Sequence, residues 1–211
     1  MVDMERKFLF NRLTKVASSA LMVTLKPKAE DGKKREKYKQ KHKRPSKLKK
    51  RDVKKVDDLF KFIFVRNPYD RILSAYLHKI GTDDERREKF KKPVPGLFKK
   101  YGDNPSFNEF CRYLEDGGLY ENKHLAPQVS LMALPKEEFS FIGKFENIEE
   151  DFKKVTEQVK NLDVRHMKRG GTYTGASNKR KKYYDAETAD RVYRLYREDF
   201  ESFNYSRDLA K

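Results

Sequence analysis

Short apolar runs predict three strands, and the stretches after them have the spacing of helices. The predicted strands cover residues 8–13, 60–65 and 139–145, and the second, FKFIFV, is aromatic or β-branched almost throughout. Helical spacing and capping signals predict helices over residues 20–25, from 68 onward, and over 83–92, 106–116, 149–159 and 185–200. Strands that alternate with helices predict an α/β fold with a mainly parallel sheet.

Local signals also predict where several elements begin and end. Asn67 followed by Pro68 is typical of an N-cap and the first helical position, and Ser106 with Glu109 has the spacing of a capping box. Asp185 is predicted to cap the last helix, which would run through Phe200. The glycine-rich, basic stretch 169–182 predicts a loop.

Charge is concentrated in one part of the chain. The 211 residues contain 50 Lys and Arg against 33 Asp and Glu, and residues 26–55 alone hold 16 basic and 4 acidic residues. The remaining residues are near charge balance and hold nearly all the apolar side chains, which excludes a fully disordered chain. The sequence therefore predicts one domain over 1–211 with a Lys-rich segment at about 26–55.

Several classes of protein are disfavoured. No apolar run approaches the roughly 20 residues of a membrane span, and no signal peptide opens the sequence. Cys111 is the single cysteine, so neither an intrachain disulfide nor a Cys-based metal cluster is expected. The compartment stays open: the sequence as it stands predicts a cytoplasmic protein, whereas a truncated animal-type enzyme would belong to the Golgi lumen.

The turn after the first strand is a candidate anion site. Small residues lead into a helix there, so backbone N–H groups are expected to face an anion. Lys15 adds a positive charge, and the hydroxyls of Ser18 and Ser19 add donors. The Gly-x4-Gly-Lys-Ser/Thr loop of nucleoside triphosphatases is absent. The alternative is a purely structural strand–helix junction.

A second candidate follows the strongest strand. Arg66 ends that strand and Ser74 lies two turns into the next helix, at the edge where open α/β sheets bind ligands. Together they could bind one phosphate through the guanidinium and the hydroxyl. The alternative is a surface ion pair between Arg66 and Asp70, with Ser74 an ordinary helix residue.

Two such sites predict a ligand with two separated phosphate groups, and here the sequence resembles a known family. These are the carbohydrate sulfotransferases (sulfotransferase family 2, including the chondroitin/dermatan 4-O- and uronyl 2-O-sulfotransferases), which use 3′-phosphoadenosine 5′-phosphosulfate (PAPS). Residues 12–19, RLTKVASS, are similar to their 5′-phosphosulfate loop, and residues 64–76, FVRNPYDRILSAY, to their 3′-phosphate motif. Similar elements follow at 124–128 (HLAPQ), 141–146 (FIGKFE) and 193–205.

The resemblance implies a P-loop-kinase-like parallel sheet flanked by helices in a single domain. It also implies PAPS as donor, adenosine 3′,5′-bisphosphate as product, a carbohydrate acceptor and no metal. The donor-binding residues that it implies are Arg12, Lys15, Val16, Ala17, Ser18, Ser19, Ala20, Arg66, Ser74, Ser177 and Arg180. The chain departs from the family pattern at Thr14, usually proline, at Ala20, usually a hydroxyl residue, and at Leu125, usually aromatic.

Sulfuryl transfer needs a cation at the oxygen between phosphate and sulfate and a base for the acceptor hydroxyl. Lys15 is the predicted cation. His124, in the matched HLAPQ element, is the first candidate base, and His42 is the second because uronyl 2-O-sulfotransferases place a histidine ahead of the same arginine motif. His78 and His166 are interpreted as surface or packing residues.

The Lys-rich segment has three interpretations. An anionic polysaccharide would be attracted to it, with Lys41, Lys43 and Arg44 as substrate-binding residues. Nucleic acid would be attracted too, although Tyr38 is the one aromatic residue among these charges, which disfavours that partner. The segment could also be solvated with no partner. The alternatives to a sulfotransferase are accordingly a basic nucleic-acid-binding module or a small P-loop-type kinase.

Overall fold

The computed structural model describes residues 1–25, 56–81, 84–160, 162 and 174–210, so the Lys-rich segment 26–55 lies outside the described residues. The chain divides into two compact units. The first contains the described residues of 1–65 and 132–171, and the second those of 66–131 and 172–211.

Four strands and nine α-helices are found in the described residues. The strands are β1 (Val2–Asp3), β2 (Phe8–Asn11), β3 (Phe60–Val65) and β4 (Phe141–Lys144). The helices are α1 (Ser18–Thr24), α2 (Pro68–Lys79), α3 (Asp84–Lys91), α4 (Pro95–Tyr101), α5 (Phe107–Glu115), α6 (Ile148–Gln158), α7 (Arg180–Tyr183), α8 (Ala186–Leu195) and α9 (Arg197–Ser202).

The first unit is built on a four-stranded sheet in the order β1-β2-β3-β4. β2 and β3 are parallel, β3 and β4 are parallel, and β1 pairs antiparallel with β2. The predicted strand at 60–65 is confirmed at both ends, and the other two are confirmed with shorter bounds. This mostly parallel sheet with helices between its parallel strands confirms the predicted α/β fold class.

Phenylalanines fill the core of the first unit. The side chains of Phe10, Phe62 and Phe64 are fully buried, and the rings of Phe10 and Phe62 stack with centroids 5.1 Å apart across β2 and β3. Phe152 of α6 lies 6.3 Å from Phe64, so α6 packs on this aromatic surface. A Cβ on Gly143 would lie 2.5 Å from the Phe64 ring, and the close approach of β4 therefore requires glycine.

The second unit is helical and has its own aromatic core. The Asn67 side chain accepts from the Tyr69 N–H, which caps α2, and Pro68 occupies the first turn as predicted. The capping box of Ser106 and Glu109 is also confirmed at the start of α5. Tyr69 packs against Phe200 with ring centroids 4.8 Å apart. Apolar residues from α2, α5 and α8 thus enclose one continuous core.

Two predicted elements are wrong in part. The helix predicted over 185–200 is two helices, α8 and α9, interrupted at Tyr196, whose buried ring donates its hydroxyl to the Leu125 carbonyl. Of the loop predicted over 169–182, residues 177–182 are helical, and Arg180 of α7 pairs there with Asp70 of α2. Residues 169–173 lie outside the described residues. Neither the two-residue β1 nor α4 was predicted.

Candidate active site

The loop between β2 and α1 has an unusual backbone. Lys15 and Ala17 have φ angles of 67° and 54°, values that residues with a Cβ rarely adopt. Such left-handed residues turn successive N–H groups toward one side of a loop, which is the geometry of an anion nest. Asn11 fixes the end of β2 just before this loop, because its Oδ1 accepts a hydrogen bond from the Ala133 N–H at 2.8 Å.

The predicted donor-binding residues of this loop differ in exposure. Val16, Ser18 and Ala20 are buried, and Lys15 is half-buried. Arg12 and Ser19 are exposed. A half-buried lysine amine and hydroxyl groups on a strained loop form a donor set suited to a phosphate or sulfate group.

Arg66 and Ser74 belong to the second unit, and both are almost fully buried, with 6% and 3% exposure. The Ser74 Oγ accepts from the Thr174 Oγ1 at 3.0 Å, so a second hydroxyl lies beside it. Asp70 is 2% exposed, and its carboxylate accepts from the Arg180 guanidinium at 2.6 and 2.8 Å. The alternative of an Arg66–Asp70 surface pair is therefore wrong, because both side chains are buried and Asp70 pairs with Arg180.

The start of α2 is supported by aromatic residues. Tyr184 donates its hydroxyl to the Tyr69 carbonyl at 2.8 Å, and Tyr69 donates its own hydroxyl to the Arg207 carbonyl at 3.0 Å. Burial raises the pKa of Tyr69 to about 12, so this phenol stays protonated and remains a donor. The helix that carries Ser74, and that begins two residues after Arg66, is thus fixed at its first turn.

Gln128 and Asp199 hold the backbone of Arg66, and sequence reasoning assigned them no role. The Gln128 Oε1 accepts from the Arg66 N–H and its Nε2 donates to the Arg66 carbonyl, both at 2.9 Å. The Asp199 carboxylate accepts from the backbone N–H groups of Gln128 and Val129 at 2.8 and 2.9 Å. The only available signal was that both residues lie in elements that resemble the family.

Asp199 and Arg71 are two buried charged residues near the contact between Gln128 and Arg66. Burial raises the pKa of Asp199, and the hydrogen bonds from Gln128 and Val129 together with the positive charge of Arg71 act in the opposite direction. Burial lowers the pKa of Arg71, which the negative charge of Asp199 opposes. Arg71 and Asp199 therefore offset one another inside the second unit.

His124 lies on a turn that several groups hold. Its backbone N–H donates to Asn122 Oδ1 at 2.9 Å, and its side chain is half-buried. The flanking carbonyls accept hydrogen bonds from side chains of the second unit: the Lys123 carbonyl from Arg71 of α2, and the Leu125 carbonyl from Tyr196, which lies between α8 and α9. The HLAPQ element thus presents a histidine on a fixed turn of the second unit.

Other predicted residues are placed as follows. Ser177 is exposed at the start of a short 3-10 helix, and the Arg180 guanidinium lies on Asp70 and the Leu209 carbonyl. His78 is half-buried near the end of α2. The candidates outside the described residues are Lys41, His42, Lys43, Arg44 and His166.

Comparison with known proteins shows the family of the chain. A model of the sulfotransferase family matches residues 1–206. The chain belongs to the sulfotransferase family. No solved structure matches it significantly.

Relatives of this sulfotransferase-family chain are carbohydrate sulfotransferases. Carbohydrate sulfotransferase 14 of Mus musculus is 32% identical over 113 residues, which cover 50% of this chain and 30% of the relative. Carbohydrate sulfotransferase 11 of Rattus norvegicus is 28% identical over 175 residues, 72% of this chain and 48% of the relative. The chain thus aligns with less than half the length of these relatives.

A metal cluster and a membrane-spanning helix are two features absent from the described residues. No three His, Cys, Asp or Glu side chains in the described part of the chain are grouped so that they could hold a metal ion. Across the same residues, no helix combines the length and apolar character that crossing a membrane requires.

Proposed function

We propose that the chain is a PAPS-dependent O-sulfotransferase that moves a sulfuryl group to a hydroxyl of a carbohydrate, with an anionic polysaccharide as the favoured acceptor. The observation that carries this proposal is that Arg66, just before α2, and Ser74, in its second turn, are both buried within the segment that resembles the family's 3′-phosphate motif. Family membership and carbohydrate sulfotransferase relatives support the same reaction class.

The residues fit the two anionic ends of this donor. A phosphate group is opposite in charge to the Arg66 guanidinium, and its oxygens can accept a hydrogen bond from the Ser74 hydroxyl, which itself accepts from Thr174. Residues 12–20 are assigned to the 5′-phosphosulfate end, where the left-handed backbone at Lys15 and Ala17 supports an anion nest.

Each catalytic side chain has one task in this proposal. The acceptor oxygen attacks sulfur as the bond from sulfur to the bridging oxygen breaks, and the 5′-phosphate leaves on the nucleotide. Lys15 neutralises the charge that develops on that bridging oxygen. His124 takes the proton of the acceptor hydroxyl, and His42 is the second candidate for this base. Lys41, Lys43 and Arg44 are proposed to attract the acceptor.

Ser177 and Arg180 are the remaining predicted donor-binding residues. The exposed Ser177 hydroxyl is available to a nucleotide. Arg180 is bound to Asp70 of α2, and α2 also carries Ser74, so Arg180 is proposed to support the donor site by holding α2.

Thermal denaturation with nucleotides separates this function from its rivals. Adenosine 3′,5′-bisphosphate at a concentration 100 times its Kd should stabilise the protein by about 2.7 kcal/mol, whereas ATP should give a much smaller rise in Tm. A larger rise with ATP would favour the kinase. A rise in Tm with an oligonucleotide, and with neither nucleotide, would favour the nucleic-acid-binding module.

Calorimetry then tests the residue that carries the proposal. Arg66→Ala should weaken adenosine 3′,5′-bisphosphate by roughly 2–4 kcal/mol, because a charge-assisted contact is lost in a buried site. The matched control is Arg197→Ala, which removes the same charge from a side chain that is 68% exposed and should leave the affinity unchanged. Unchanged affinity in a folded Arg66→Ala protein would refute the assignment.

A further inference from the structure

The side chain of Gln128 pairs with both backbone groups of a single residue. Its Oε1 accepts from the Arg66 N–H and its Nε2 donates to the Arg66 carbonyl, each at 2.9 Å, and the side chain is fully buried. This is the pattern by which a neighbouring strand would bind Arg66. Because Arg66 directly follows β3 in the chain, Gln128 continues strand-like pairing by one residue and fixes the backbone there.

Asp199 fixes which way the Gln128 amide points. The Asp199 Oδ2 accepts from the Gln128 backbone N–H at 2.8 Å and from its Nε2 at 3.3 Å, and Oδ1 accepts from the Val129 N–H at 2.9 Å. A carboxylate only accepts, so the amide nitrogen must face it and the amide oxygen must face the Arg66 N–H. Asp199 is fully buried, and the arrangement is therefore shielded from competing water.

Arg66 has four rotatable side-chain bonds, and its guanidinium can serve a phosphate only if the Cα–Cβ bond starts in the right direction. Misplacement by about 1 Å of a group that positions substrate can cost roughly 100-fold in rate. The two bonds from Gln128 restrain the peptide groups on both sides of that Cα.

We infer that Gln128 and Asp199 are positioning residues for Arg66, and that through Arg66 they set the preference of the protein for nucleotides that carry a 3′-phosphate. This inference rests on the proposed function, because it takes the 3′-phosphate as the ligand of Arg66. Neither residue contacts the nucleotide in this account. Their effect appears only in the part of the affinity that depends on the 3′-phosphate.

The experiment compares two nucleotides that differ in that group. Calorimetry gives the Kd of adenosine 3′,5′-bisphosphate and of adenosine 5′-monophosphate, and their ratio reports the contribution of the 3′-phosphate. Gln128→Met keeps the side-chain length and removes both bonds to Arg66. It should lower the ratio at least tenfold while the Kd of the monophosphate changes less than about twofold.

Asp199→Asn is the second variant, for the case in which Gln128→Met does not fold. An amide cannot accept from both the Gln128 and the Val129 N–H groups through separate oxygens, so the clamp loosens without a loss of volume. The ratio should again fall. An unchanged ratio in either folded variant overturns the inference.

Thr188→Val is the control for a merely structural effect. Thr188 is also fully buried in the second unit, and its hydroxyl accepts from Asn108 at 2.8 Å. Its loss should lower the Tm but leave the nucleotide ratio unchanged, and an equal fall of the ratio in this variant would also overturn the inference. A wild-type protein with no preference for the 3′-phosphate would instead refute the proposed function itself.

Discussion

Asp70 and Arg180 form a bidentate ion pair inside the second unit, and loss of this pair should lower the free energy of unfolding. The Arg180 Nε and Nη2 lie 2.6 and 2.8 Å from the two Asp70 oxygens, and Nη1 donates to the Leu209 carbonyl at 3.0 Å. The side chains are only 11% and 3% exposed. Arg180→Met keeps most of the side-chain volume and leaves a buried carboxylate without its guanidinium.

Removal of one partner of a buried pair typically costs about 3–5 kcal/mol, because the remaining charge stays desolvated. With a urea m-value of about 2 kcal/mol/M, the unfolding midpoint of Arg180→Met should fall by roughly 1.5–2.5 M. The double variant Asp70→Asn/Arg180→Met buries no charge at this position. It should therefore be more stable than the sum of the single losses predicts, by at least about 1 kcal/mol.

Urea denaturation followed by circular dichroism at pH 7 measures both quantities. Lys100→Ala is the control, because it removes a partner from the exposed Lys100–Asp116 pair and should leave the midpoint unchanged. An Arg180→Met protein as stable as wild type would refute the reasoning. If such a protein also lost its affinity for adenosine 3′,5′-bisphosphate, the sequence prediction that Arg180 binds the donor would be favoured instead.

Three further predictions test the core and the chemistry. Gly143→Ala should lower the free energy of unfolding by about 1–3 kcal/mol, because its Cβ would lie 2.5 Å from the Phe64 ring, and thermal denaturation checks this. Burial raises the pKa of Cys111, so its thiol should not react with Ellman's reagent at pH 8 until urea unfolds the protein. Lys15→Ala should lower kcat more than it weakens adenosine 3′,5′-bisphosphate, and equal losses in steady-state kinetics and calorimetry would mean that Lys15 only binds.

Local signals were sufficient to predict much of the fold. β3 is a run of β-formers, and Asn67, Pro68 and the Ser106–Glu109 box mark helix starts through contacts within three residues. The break at Tyr196 was not predictable in this way, because the apolar spacing continues across it. At this break the Tyr196 hydroxyl donates a hydrogen bond to the Leu125 carbonyl, 71 positions away, a contact that no local signal predicts.

In the candidate site, too, residues within contiguous motifs were predictable and contacts between distant residues were not. Arg66, Ser74 and the residues of the first loop were identified from the sequence because they lie in contiguous motifs. The clamp on Arg66 joins residues 62 and 71 positions apart, and Asp70 meets Arg180 across 110 positions. Likewise, no spacing rule predicts a left-handed backbone at Lys15 and Ala17, since both carry a Cβ.

Transfer of a labelled sulfuryl group tests directly whether the protein is a carbohydrate sulfotransferase. The wild-type protein is incubated with saturating PAPS labelled in the sulfuryl group and with a panel of desulfated polysaccharides, and label in the glycan is measured. We expect label in at least one polysaccharide, with a loss of roughly 10²–10⁴-fold in rate for His124→Ala at unchanged donor affinity. A folded, donor-saturated wild-type protein that leaves all the label on the nucleotide would contradict the proposed function.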